Sequence, residues 1–208
     1  IFHSAQWDHE SDLTGKRVAV IGTGASAIQV VPNIASKVAH LDVYQRTAPR
    51  LLPPFDRAYS PVERFAFKHV PGVQQLARLG IYAAREAQVL GLTKAPVLMK
   101  GFEALSRAKL LLEIRDAELR KDVTPDYRIG CKRMLISNDY YPALDKANVE
   151  LVTDGIAEIR GNSIVSKDGT EREIDAIVVA TGARARNLPG LEADGDRVWS
   201  YREALVPK

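Results

Sequence analysis

Val18-Ala19-Val20-Ile21-Gly22-Thr23-Gly24-Ala25-Ser26-Ala27-Ile28-Gln29 is the stretch that decides how this chain folds. An apolar, largely β-branched run stops at a Gly-x-Gly-x-x-Ala turn and resumes with Ile28, Val31 and Ile34 at helical spacing. That order predicts a buried strand, a tight turn and a helix whose N-terminus faces the turn. Each small residue has a physical reason to be there. Gly22 can take the positive φ that the turn needs, Gly24 leaves no Cβ between backbone and phosphate, and Ala27 permits close helix–strand packing. The unpaired N–H groups of the first helical turn, with the helix dipole behind them, suit an anion. A glycine pattern is weak on its own, but the strand before it and the helix after it supply the context of a dinucleotide pyrophosphate cradle.

The second strand indicates which dinucleotide. Leu41-Asp42-Val43-Tyr44-Gln45-Arg46-Thr47 ends about 20 residues beyond the glycines, where an NAD site carries Asp or Glu for the ribose 2′-hydroxyl. This chain has Gln45 and Arg46 instead. A carboxylate would repel a 2′-phosphate, whereas a guanidinium can grip it through paired charge-assisted hydrogen bonds, with the Thr47 hydroxyl beside it. The expected cofactor is NADP(H); the alternative is that Arg46 only caps an exposed strand end. The fold class that follows is α/β, a Rossmann-like dinucleotide-binding domain whose parallel sheet carries a β-hairpin or meander and whose chain carries a helical insertion.

The bulk numbers narrow the classes further. With 208 residues the chain can bury a proper core, and a formal charge of +3 without a basic–aromatic stripe argues against nucleic acid. The single cysteine, Cys131, excludes an intrachain disulfide and the dithiol of a disulfide reductase, and it fits a reducing compartment. No apolar run is long enough for a bilayer and no signal-peptide pattern opens the chain, so a cytoplasmic protein is expected. The chain starts at Ile1 rather than Met, so an upstream piece is expected as well.

Residues 1–13 read as a linker, with Thr14-Gly15 as the turn into the first strand. Pro49, Pro53 and Pro54 break the pattern after the second strand. From about 58 to 122 the spacing is helical, first through Phe65, Val70, Val73, Leu76, Leu79 and Ile81, then through a heptad of Leu105, Leu112 and Leu119. Such helices are expected to pack a small core of their own. Beyond Pro125 strand patterns return at 149–152, 156–159, 163–165 and 174–180, with Asp168-Gly169 as a hairpin turn. The expected units are the linker at 1–13, an NADP-binding domain at 14–182 holding the helical insertion, and a tail at 183–208.

Three further clusters give the chain a family resemblance. His3-Ser4-Ala5-Gln6-Trp7-Asp8 resembles the second half of the Baeyer–Villiger monooxygenase fingerprint. Gly130-Cys131-Lys132-Arg133-Met134 with Asp139-Tyr140-Tyr141 resembles the segment by which that family returns from its helical insertion. Ala180-Thr181-Gly182 resembles the turn that closes dinucleotide domains of such flavoproteins. The resemblance implies an FAD-dependent monooxygenase that takes hydride from NADPH, captures oxygen as a flavin peroxide and oxygenates a ketone or a heteroatom. FAD would belong to a partner domain of the parent enzyme, so this chain is expected to bind NADP(H) and to catalyse nothing alone.

The same resemblance assigns roles to residues. Gly22, Thr23, Gly24, Ala25 and Ser26 would cradle the pyrophosphate, and Gln29 would lie on the nicotinamide-ribose side. Arg46, Thr47 and Lys132 would hold the 2′-phosphate. Arg133 would reach the flavin as the catalytic cation; the residues' own alternative for Lys132 and Arg133 is a solvated basic pair. His3 would be a hinge element, Tyr140 and Tyr141 packing residues, and no metal site is expected. The chain departs from the family at Arg50, where an aromatic residue is usual, and at Ala183. From Ala183 the tail resembles dihydrolipoamide dehydrogenase at its domain crossover. A hybrid NADP-binding module, or a fragment of such a reductase, is therefore the competing reading.

Overall fold

The computed structural model describes residues 1–54, 57–94, 97 and 99–181. In chain order the strands are β1 (Phe2–His3), β2 (Arg17–Ile21), β3 (His40–Tyr44), β4 (Leu51–Leu52), β5 (Leu135–Ile136), β6 (Val149–Val152), β7 (Ile156–Arg160), β8 (Ser163–Ser166), β9 (Glu171–Glu173) and β10 (Ala176–Val179). The helices are α1 (Ala27–Ile34), α2 (Pro61–His69), α3 (Val73–Thr93), α4 (Met99–Glu113), α5 (Ala117–Asp122) and α6 (Tyr140–Leu144).

A parallel sheet in the order β1-β10-β2-β3-β6 forms the centre. Val18, Ala19 and Val20 of β2 are all buried, because the sheet is covered on both faces. Side chains alternate along a strand, so Val18 and Val20 join Ile28 and Val31 of α1 and Tyr140 and Leu144 of α6 in one core. Ala19 faces the other way and packs with Ile164, Ile174 and Ile177. That second layer is the antiparallel meander β7-β8-β9, whose last turn holds Gly169 at φ +88° as the Asp168-Gly169 pair predicts. Burial of each such Val or Ile contributes roughly 1.5–3 kcal/mol, and this packing holds a helix as short as α1 in place.

The insertion is helical as expected, but its packing differs. Helix α2 starts on a capping box, with Ser60 and Glu63 exchanging side-chain and backbone bonds and Pro61 in the first turn. Among the described side chains the apolar residues expected to form a core in α2 and α3 do not: Phe65, Leu76, Leu79 and Ile81 are all exposed. The predicted heptad stripe also fails, since Leu112 is 82% exposed. Helix α4 instead buries Met99, Ser106, Lys109 and Leu110 against the body of the domain, at spacings that select a different face. The Leu heptad misled because α4 and α5 are separate helices, with Asp116 capping α5 through the Leu119 N–H at 2.8 Å.

Two strand pairs were not foreseen. Within the segment read as a linker, Phe2 and His3 pair with Val178 and Val179 of β10, and Phe2 meets Trp7 edge-on at 5.0 Å. Leu51–Leu52 pairs in parallel with Leu135–Ile136, between the prolines that interrupt the pattern. Two-residue strands carry too little periodicity to be read from sequence. The tail likened to dihydrolipoamide dehydrogenase, with Gly182 before it, lies outside the described residues.

Arg17 ties β2 to the strand beside it. Its backbone N–H donates to Asp175 Oδ2 at 2.8 Å, Nη2 donates to Oδ1 at 2.9 Å, and the guanidinium also pairs with Glu173. The guanidinium and that backbone N–H hold the Asp175 carboxyl down at about 2, against an ordinary value of 3.8. A lowered carboxyl stabilises the fold above its ordinary value, and the gain is lost as pH falls through the lowered one. Asp175→Asn is therefore expected to lower the urea midpoint at neutral pH and to match wild type near pH 2. Equal losses at both pH values would contradict the pairing.

Candidate nucleotide-binding site

The turn after β2 is fixed by its neighbours. Gly22 sits at φ +113°, and a Cβ there would stand 2.8 Å from the carbonyl oxygen of Ala180, just past β10. Its N–H donates to the Tyr44 carbonyl at 3.1 Å, so the turn joins the ends of β2, β3 and β10. Gly24 is different. Its φ is not positive, and apart from its chain neighbours a Cβ there would meet only the Ala180 oxygen, at 4.0 Å. Nothing among the described residues asks for glycine at 24.

Helix α1 begins directly behind the turn, without a side-chain cap and without an acidic residue in its first turn. The N–H groups of Gly24, Ala25, Ser26 and Ala27 meet no acceptor among the described residues. Four open donors at a helix N-terminus, with no carboxylate competing for them, fit a diphosphate. Gln29 lies exposed one turn into the helix, its carbonyl accepting from Asn33 Nδ2 at 2.7 Å.

The end of β3 is brought to this turn. Thr23 Oγ1 donates to the Thr47 carbonyl at 2.9 Å, a link that sequence reasoning did not anticipate. Arg46 beside it is exposed and has no hydrogen-bond or ion-pair partner among the described residues. Gln45, by contrast, is buried and turned away, donating through Nε2 to the Asp122 carbonyl at the end of α5 at 2.8 Å. One residue thus anchors the insertion while the next is left free.

Lys132 has an aromatic support. Its Nζ lies 4.8 Å from the centre of the Tyr127 ring, and Arg50 approaches the same ring at 5.7 Å. Arg50 also donates Nη2 to the Tyr127 carbonyl at 2.5 Å, and its N–H donates to the Tyr127 hydroxyl at 3.2 Å. Pairing of β4 with β5 runs the segment after Arg46 alongside the segment after Lys132. Tyr127 carried no motif signal. Arg133 is exposed and makes no hydrogen bond, ion pair or ring contact with the other candidate residues.

The remaining candidates have structural surroundings. His3 Nδ1 accepts from the Ala5 N–H at 3.1 Å at the end of β1, and Tyr140 and Tyr141 are buried packing residues. Cys131 is an exposed free thiol. His40, Asp42 and Glu150 could bring three ligand atoms within 4.8 Å of one another. Arg172 already supplies the cation there, 2.5 Å from Glu150 and 4.0 Å from Asp42, so the cluster is an ion-pair network joining the meander to the sheet. Burial pushes the Asp42 carboxyl up, and His40 at 3.1 Å and Arg172 oppose that shift.

No protein-family model matches the chain. Individual relatives do: it is 54% identical over 187 residues to a Baeyer-Villiger monooxygenase of Pseudomonas aeruginosa, covering 90% of this chain and 36% of the relative. A Baeyer-Villiger monooxygenase of Streptomyces coelicolor is 48% identical over 199 residues, covering 94% and 38%. Among solved structures, an oxidized steroid monooxygenase bound to NADP superposes with a TM-score of 0.67 at 29% identity, covering 86% of this chain and 41% of that one. A polycyclic ketone monooxygenase from Thermothelomyces thermophila gives 0.71 at 25% identity, covering 87% and 37%. The chain is thus similar to Baeyer–Villiger monooxygenases over nine-tenths of its own length, and it spans little more than a third of these curated relatives. Among the described residues no helix is long and apolar enough to cross a membrane.

Gly22→Ala should clash with the Ala180 carbonyl and force a strained backbone, costing at least about 1–3 kcal/mol. Urea unfolding checks this, and wild-type stability would contradict the geometry.

Proposed function

We propose that this chain is the NADPH-binding portion of an FAD-dependent monooxygenase that oxygenates a ketone or a heteroatom. The observation that carries the reading is Arg46 at the end of β3, unpaired among the described residues, beside a turn whose four N–H groups meet no acceptor there either. In this reading Gly22, Thr23, Gly24, Ala25 and Ser26 form the cradle for the pyrophosphate, and Gln29 flanks the nicotinamide-ribose side. Arg46, Thr47 and Lys132 supply donors for the 2′-phosphate, with the Tyr127 ring holding the Lys132 ammonium in place. Bound NADPH would supply hydride, and FAD would be held by a domain beyond the third of the parent that this chain represents.

Among the described residues the exposed Arg133 has no partner that would neutralise it. It would extend a fixed positive charge and a planar donor fork toward an anionic reaction centre in the partner domain. The substrate would be a small ketone or heteroatom compound bound mainly outside this chain, and the single exposed thiol suits the cytoplasm.

Titration with NADP+ and NAD+ tests the reading. NADP+ should bind at least about tenfold more tightly, and Arg46→Ala should erase the difference. Gly24→Val should keep wild-type stability yet weaken NADP+ by a similar factor, because its side chain meets ligand rather than protein. Equal affinity for the two nucleotides, or an Arg46→Ala variant that binds like wild type, would overturn the proposal.

A further inference from the structure

A cavity of about 570 Å³ opens between α4, α5 and Tyr141 of α6. None of Arg46, Thr47 or Lys132 lines it; Arg50, which shares the Tyr127 ring with Lys132, is the link to the site described above. Its charge is one-sided: Arg50, Lys100, Arg107 and Arg120 face a single carboxylate, Glu103. Glu103 is itself engaged, Oε1 accepting from the Ile129 N–H at 3.0 Å. Arg120 spends Nε and Nη2 on the carbonyls of Ile114 and Arg115, capping the end of α4. Lys100 and Arg107 are exposed and have no ion-pair partner among the described residues.

Two buried donors at this cavity lack acceptors among the described residues. Tyr141 is 1% exposed and its hydroxyl has no partner, and the Nε of Arg50 is likewise buried without one. Buried polar groups in folded proteins are nearly always satisfied, so two orphans on one cavity wall call for an acceptor. Burial raises the Tyr141 phenol far above its ordinary range, which keeps it protonated and able to donate. The rest of the wall combines apolar Ala104, Leu110, Leu111 and Pro125 with the hydroxyls of Ser106 and Thr124.

We propose that this cavity binds a small organic acid, its carboxylate among Arg50, Arg107 and the Tyr141 hydroxyl and its apolar body against Leu110, Leu111 and Pro125. The hydrocarbon surface of Leu110, Leu111 and Pro125 beside the cations suits an acid with an apolar body better than a bare phosphate. The volume lies within the range of small-molecule sites.

Calorimetric titration of the full chain with hexanoate and with neutral hexanamide tests the assignment. Hexanoate should bind at least about tenfold more tightly than the amide. Arg107→Ala, at an exposed position that threatens no packing, should weaken hexanoate about tenfold, and Tyr141→Phe, which keeps the ring, about threefold or more. Arg46→Ala should leave hexanoate binding unchanged, which separates this site from the nucleotide reading. No hexanoate binding, equal binding of acid and amide, or wild-type affinity in either cavity variant would overturn the proposal. So would an Arg46→Ala loss as large as that of Arg107→Ala.

Discussion

The close approach of Gly22 to the Ala180 carbonyl is the constraint on which the rest of the structure depends. Only a residue without a Cβ fits 2.8 Å from that oxygen, and only glycine takes φ +113° without strain. Because the turn is pressed against the end of β10 and bonded to the end of β3, α1 starts at one defined place above the sheet. Its open N–H groups then point into the crevice beyond the carboxyl ends of the strands, where ligands of open α/β sheets bind. Gly22 therefore serves the fold, while nothing among the described residues requires glycine at 24.

The same division of labour recurs at the end of β3. Gln45 turns inward and fastens α5 through the Asp122 carbonyl, while Arg46 is left free and Thr47 is tied to the turn through Thr23. Arg50 uses the Tyr127 ring and carbonyl and shares that ring with Lys132. One aromatic ring thus holds two cations from opposite sides of the insertion.

Much of this was legible in the sequence because it follows local rules. The β2-turn-α1 unit, the missing carboxylate at β3 and the Asp168-Gly169 hairpin are each set by residues within a few positions of one another. What was not legible depends on partners distant in sequence. Phe2–His3 become a strand only because β10 lies beside them, and Leu51–Leu52 only because Leu135–Ile136 does. The buried face of α4 is chosen by the domain it packs on rather than by its own leucines, so the heptad pointed outward. Tyr127 became part of the site through contacts with Arg50 and Lys132, and neither contact leaves a spacing to read.

The central claim is that the turn and helix N-terminus present open donors to an anionic dinucleotide. Amide chemical shifts of the labelled chain, followed as NADP+ is added, test it most directly. The account predicts saturable shifts concentrated at Gly24, Ala25, Ser26 and Ala27, the residues whose N–H groups are open, with smaller shifts at Thr47. Saturable shifts that bypass these four amides, or none at millimolar nucleotide, would contradict it.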